Sequence, residues 1–129
     1  PTDLAEQYIL AHEYGHHVQN LLGTNAQVQQ ASQNDPGRAN QYSVALELQA
    51  DCFAGAWVGA RDVLDNPAEL DEAIKAAEGV GDDRIQQRSQ GRIDPESWTH
   101  GSAEQRKSWF LQGFNSQDPT QCNTFTDLL

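Results

Sequence analysis

The sequence has no methionine, not even at position 1, and only two cysteines among its 129 residues. A chain without an initiator methionine reads as a processed product or a piece of something longer. Basic residues are also scarce: eight Lys and Arg stand against 19 Asp and Glu, for a net charge of −11. With no basic run, the chain is not expected to grip phosphate backbones or anionic lipid, and no nucleic-acid partner is expected. Long apolar runs are missing too. The longest uncharged one, Phe53 to Ala60, is far too short to cross a bilayer, and no stretch of these residues is expected to act as a signal peptide. Cys52 and Cys122 fit neither a zinc ribbon nor a CxxC redox pair. They are either two buried free thiols or one long-range disulfide. The disulfide would imply an oxidising compartment and contribute about 4 kcal/mol through chain entropy.

What is present suits one domain. A chain of this length can bury roughly two-thirds of its unfolded surface, so it folds without obligatory staples. The pattern is helical nearly throughout, with no convincing period-2 strand, no repeat and no linker. Asp3, with Glu6 three residues on, can cap a first helix. Leu4, Tyr8, Ala11, Val18 and Leu22 then recur at helical spacing, flanked by Ile9 and Leu21, and Gly23 is a plausible stop. A short helix around Ala26 to Gln33 and a turn at Asp35-Pro36-Gly37 follow. The stretch from Ala39 to about Val63 is the most apolar. Its Gly55 and Gly59, like Gly15 in the first helix, suggest close approach between neighbours. Asn66-Pro67-Ala68-Glu69 starts a helix that ends at Gly79, and a shorter one covers about Asp82 to Arg88. Arg92 to Gly101 reads as a loop. Ser102 caps a last helix that runs through Leu111 or Gln112 and stops at Gly113. The predicted fold is thus mostly α, with about five or six helices.

His12-Glu13-Tyr14-Gly15-His16 is an HExxH motif. On a helix, His12 and His16 share a face one turn apart and can grip one Zn²⁺. Glu13 projects from beside that face, where the general base for a zinc-activated water belongs. The pattern arises by chance about once in a hundred chains of this composition, so it needs support from further ligands. His17 points about 140° away from His12 and is not the natural second ligand. The opposing view is that these histidines form only a satisfied polar patch.

A catalytic zinc takes a third protein ligand and keeps an open position. The zincin class with a third histidine ten residues after the first is excluded, because that position is Leu22 and Gln19 replaces the expected glycine. A glutamate on a second helix is the other solution. Glu47 lies 31 residues after His16, with Asp51 one turn later on the same face. Carboxylates are rarely buried without a partner or metal. The functional reading makes Glu47 the third ligand and Asp51 the acceptor that fixes a histidine tautomer. The plain alternative is two solvated carboxylates at a helix rim. His100 either donates a hydrogen bond to the oxyanion of a tetrahedral intermediate or is an exposed loop histidine.

HEYGHHVQNLLG (12–23), ELQADCFAGAW (47–57), VGDDRIQ (80–86), HGSAEQR (100–106) and CNTF (122–125), in this order, resemble the bacterial putative neutral zinc metallopeptidases. The resemblance covers nearly the whole chain. It implies a zincin-like fold, with His12, His16 and Glu47 as ligands of one zinc and Glu13 as catalytic base. It further implies an extracytoplasmic catalytic domain, in proteins anchored by an N-terminal membrane-spanning segment, which would suit a Cys52–Cys122 bridge. The expected activity is hydrolysis of peptide bonds in a peptide or protein substrate. The rival expectation is a non-catalytic zinc-binding helical module serving fold or partner binding. Family members carry a long region before the active-site helix, whereas eleven residues precede His12 here. No strand is expected in residues 1–11 to hold an extended substrate by β-augmentation, so this chain is expected to bind zinc yet cleave poorly.

Overall fold

In the computed structural model, the described residues are 3–60, 74–75 and 101–126. Four α-helices are placed among them: α1 (Asp3–Leu21), α2 (Thr24–Asn34), α3 (Ala39–Ala60) and α4 (Ala103–Ser116). Short 3-10 turns cover Pro36–Arg38 and Pro119–Gln121. No strand occurs among the described residues, and residues 3–11 are helical throughout. The helices expected over 66–79 and 82–88, the Arg92–Gly101 loop up to residue 100, and His100 itself lie outside the described residues. Only Ile74 and Lys75 are described there, and both are helical.

Helix α3 is the hub, with α4 packed closely along it and α1 and α2 alongside. The α3–α4 approach explains why glycine is needed on both helices. A Cβ at Gly55 would overlap the Phe110 carbonyl, and one at Gly113 would overlap the Cys52 carbonyl. Gly113 is therefore a packing residue in the middle of α4, not the stop expected from the sequence. The helix continues to Ser116 and ends at Gln117, which adopts φ 53°. Its start is as expected. The Ser102 side chain accepts from the Gln105 N–H, and the Gln105 side chain accepts from the Ser102 N–H, so two orphan donors are satisfied reciprocally.

Two apolar clusters hold the helices together. Tyr8, Ala11, Ala54, Val58 and Phe110 join α1, α3 and α4. Val28, Tyr42, Ala45 and Phe125 join α2, α3 and the C-terminal segment. That segment is fastened by a Cys52–Cys122 disulfide and by a hydrogen bond from the Thr124 hydroxyl to the Ala45 carbonyl.

Helix α1 departs from its expected core face. Tyr8 and Ala11 are buried, but Ile9, Leu21 and Leu22 are exposed, the last at 70%. The buried face instead carries His12, Gly15 and the fully buried Gln19. Gly15 lies against the Ala50 backbone, where an added Cβ would be 3.1 Å from the carbonyl oxygen. A helix whose polar residues point inward is unusual, because buried polar groups are costly unless partnered.

Candidate metal centre

The inward face of α1 meets α3 at one point of convergence. His12 and His16, one turn apart, turn their Nε2 atoms toward each other at 3.0 Å. The Glu47 carboxylate arrives from α3, with Oε2 3.2 Å from His12 Nε2 and 2.5 Å from His16 Nε2. These three residues form the only His/Cys/Asp/Glu group among the described residues whose ligand atoms converge in this way. His12 is buried, while His16 and Glu47 are half-buried, so the cluster lies near the surface.

The far side of each imidazole is fixed. His12 Nδ1–H donates to Asp51 Oδ1 at 2.8 Å. Asp51 is completely buried, and Arg106 of α4 compensates its charge through Nε to Oδ2 at 2.6 Å and through its terminal nitrogen to Oδ1 at 3.2 Å. The Tyr8 hydroxyl donates to the same Oδ1 and accepts from Arg106 at 3.3 Å. His16 Nδ1–H donates to the Gln19 side-chain carbonyl at 2.9 Å. Both imidazoles thus spend their Nδ1 proton on a buried acceptor and present Nε2 to the centre.

The electrostatics follow from this packing. Burial opposes charging of His12, but the hydrogen bonds and charges of Asp51 and Glu47 outweigh it and lift its pKa to about 9. The Glu47 hydrogen bond likewise raises His16 against burial. Burial would raise Glu47, yet the two histidines together hold it far below the usual carboxylate range. Burial and the neighbouring Asp51 push the Tyr8 hydroxyl well above the ordinary phenol range, so it remains a donor. For Arg106, burial acts against the charge and Asp51 overrides it, holding the guanidinium protonated.

The donor chemistry fits a zinc ion. Two neutral imidazole nitrogens and one carboxylate oxygen are a common catalytic zinc set, and donors about 2.0–2.1 Å from one tetrahedral zinc lie about 3.3 Å apart. The two spacings that involve His12 are close to that. The tighter His16–Glu47 pair is a hydrogen bond that a cation would replace.

The residues expected from the sequence fall as follows. His12, His16 and Glu47 are brought together. Asp51 is at His12 Nδ1. Glu13 is exposed on α1, one residue beyond His12, and His17 is exposed with its ring 5.7 Å from the Tyr14 ring. His100 lies outside the described residues. Three contributors were not read from the sequence as parts of a site. In the sequence Tyr8 belongs to the apolar stripe, Arg106 enters only as the last residue of HGSAEQR, and Gln19 enters only within HEYGHHVQNLLG and as the residue that excludes a histidine-rich zincin class. The signal for Gln19 was its position three residues after His16, on the buried stripe.

An apolar cavity of about 920 Å³ runs along α1 and α3, lined by Leu10, Tyr14, Val18, Phe53 and Trp57 among others. It includes none of the three converging residues. Among the described residues, no helix is long and apolar enough to cross a membrane.

The sequence matches a known family. The model of the family described as "putative neutral zinc metallopeptidase" matches residues 1–125, and the chain belongs to that family. The uncharacterised protein YpfJ of Escherichia coli is 54% identical over 127 residues, which cover 95% of this chain and 44% of the relative. The uncharacterised protein Mb2605 of Mycobacterium bovis is 46% identical over 134 residues, with the same shares. The chain thus spans less than half the length of these curated relatives. No solved structure matches the chain.

Proposed function

We propose that the chain is the zinc-binding catalytic part of a metallopeptidase that hydrolyses peptide bonds with Glu13 as general base. The observation that carries this reading is the convergence of His12 Nε2, His16 Nε2 and Glu47 Oε2. Family membership supports it. His12, His16 and Glu47 would hold the metal. When bound there, zinc supplies Lewis-acid polarisation and makes water acidic enough to lose a proton near neutral pH. The protein's own residues do the rest. Asp51 and Gln19 hold the two imidazoles in one tautomer and one orientation, so no reorganisation is needed during the reaction. Glu13 takes the proton of the attacking water on its carboxylate and returns it to the leaving amine nitrogen. Its exposure keeps it within reach of solvent and substrate. The substrate is a peptide or protein, and the Cys52–Cys122 disulfide supports work outside the cytoplasm, where such bridges persist.

A purely structural zinc module remains the rival reading, and a glutamate beside the ligands has no task in it. The test is Glu13→Gln, assayed for zinc content and for peptide hydrolysis. The expected result is about one zinc per chain, with kcat lowered by about 10²–10⁴-fold. If kcat stays above about a tenth of its wild-type value, Glu13 is not the base.

A further inference from the structure

His16 is the more exposed of the two imidazoles and has no carboxylate behind it, yet its orientation is fully determined. The determinant is a buried chain of amides. Gln19, with no exposed surface, donates its side-chain amide to the Leu46 carbonyl at 2.8 Å and to Gln49 Oε1 at 2.9 Å. Gln49 in turn donates to the Cys122 carbonyl at 3.0 Å, beside the disulfide. The direction of this chain follows from its ends. The Leu46 carbonyl can only accept, so the Gln19 atom facing it must be the NH₂ group. Both amide hydrogens are then spent, and the Gln19 oxygen must face His16. A carbonyl oxygen can only accept, so His16 Nδ1 must carry the proton. Nε2, the atom that meets Glu47, is then the nitrogen that offers its lone pair to a metal once the proton it shares with Glu47 is displaced.

We propose that Gln19 is a positioning residue for metal binding: it fixes His16 as the Nδ1–H tautomer and ties that imidazole to the turn of α3 that carries Glu47. This inference rests on the metal-centre reading above. Leu46 is the residue immediately before Glu47, so one side chain sets a ligand on α1 and the backbone beside a ligand on α3. Gln49 and the Cys122 carbonyl keep the amide from flipping. His12 is oriented by a buried carboxylate with its arginine, and His16 by a neutral amide with a backbone anchor, so the two ligands are held by different chemistry.

The test is zinc titration of the wild type, Gln19→Met and Gln19→Glu against a chromophoric chelator. Gln19→Met keeps the length of the side chain and loses both its acceptor and its donors. A protonated Gln19→Glu side chain can still accept from His16 and donate to the Leu46 carbonyl. The expected result is a loss of zinc affinity of about 10–100-fold in Gln19→Met, with Gln19→Glu within about threefold of the wild type. Wild-type affinity in Gln19→Met overturns the proposal, and so does an equal loss in both variants, which would mean that retaining the acceptor atom does not restore the ligand. A second readout needs no variant. In the zinc-loaded wild type, the His16 Nδ1 proton should give a slowly exchanging ¹H,¹⁵N signal, and a rapidly exchanging one overturns the assignment even if Gln19→Met fails to fold. Failure of the wild type to bind zinc would overturn the metal-centre reading and this one together. Tight wild-type binding with an indifferent Gln19 would overturn only this one.

Discussion

At residue scale, the centre is a set of charges that need one another. The zinc-free protein makes this testable through pH. A histidine ordinarily titrates near 6.5, and His12 is lifted to about 9, because Asp51 and Glu47 outweigh its burial. Its folded pKa lies above its unfolded one, so its stabilising contribution is complete below about pH 6.5 and is lost as pH rises through about 9. Glu47 is shifted the opposite way. Its contribution is present above its ordinary value of 4.5 and is lost as pH falls below it. Zinc-free protein should therefore lose stability between pH 6.5 and 9, while zinc-loaded protein, with the proton on Nε2 already displaced, should change little in that window. Urea midpoints with and without zinc measure this, and a zinc-free midpoint that rises across the window contradicts it. The sequence brought His12, His16 and Glu47 forward as candidate ligands because HExxH and ExxxD are local spacings on helices, and the structure brings their donor atoms together. It did not yield Tyr8, Arg106 or Gln19 as site residues, because their roles depend on partners 43, 55 and 27 residues away.

At element scale, the α3–α4 crossing sets how deeply Arg106 reaches toward Asp51. Gly55 and Gly113 allow that approach, since a Cβ on either would overlap the other helix's backbone. Gly55→Ala and Gly113→Ala should each destabilise the protein by about 1–3 kcal/mol or more, as overpacking of a tight contact does. Gly37→Ala is the control, because its Cβ would meet only Asp35 Oδ1 at 3.6 Å, an ordinary contact. Thermal unfolding of the three variants separates them, and an unshifted midpoint in Gly113→Ala would contradict the packing role. Gly113 also shows where sequence reasoning stops. Glycine near a helix end commonly marks a stop, and here it marks a contact with a neighbour that only the fold reveals. The exposed Leu21 and Leu22 teach the same lesson about α1. Apolar spacing located the helix, but His12 and Gln19 on its inward face decided which side packs.

At the scale of the whole molecule, the C-terminal segment closes the structure onto α3. The Cys52–Cys122 bridge spans 70 residues, and its chain-entropy contribution is about 4 kcal/mol. Denatured protein made in an oxidising compartment should show no free thiols before reduction and two after it, and the reduced form should unfold at clearly lower denaturant. Two thiols before reduction would remove the bridge. The sequence alone left the two cysteines open between free thiols and a bridge, because nothing local brings residues 52 and 122 together. Amides and the Arg106–Asp51 pair hold α1 against α3, the bridge fastens the C-terminal segment to α3, and three donors converge at the centre, where the proposed function places one ion. Zinc stoichiometry and affinity of the wild type, Glu47→Ala and Asp51→Asn test this most directly. The account predicts one zinc per wild-type chain, loss of the metal in Glu47→Ala, and a loss of affinity of about 10–100-fold in Asp51→Asn. Equal zinc affinity in Glu47→Ala and the wild type would contradict it.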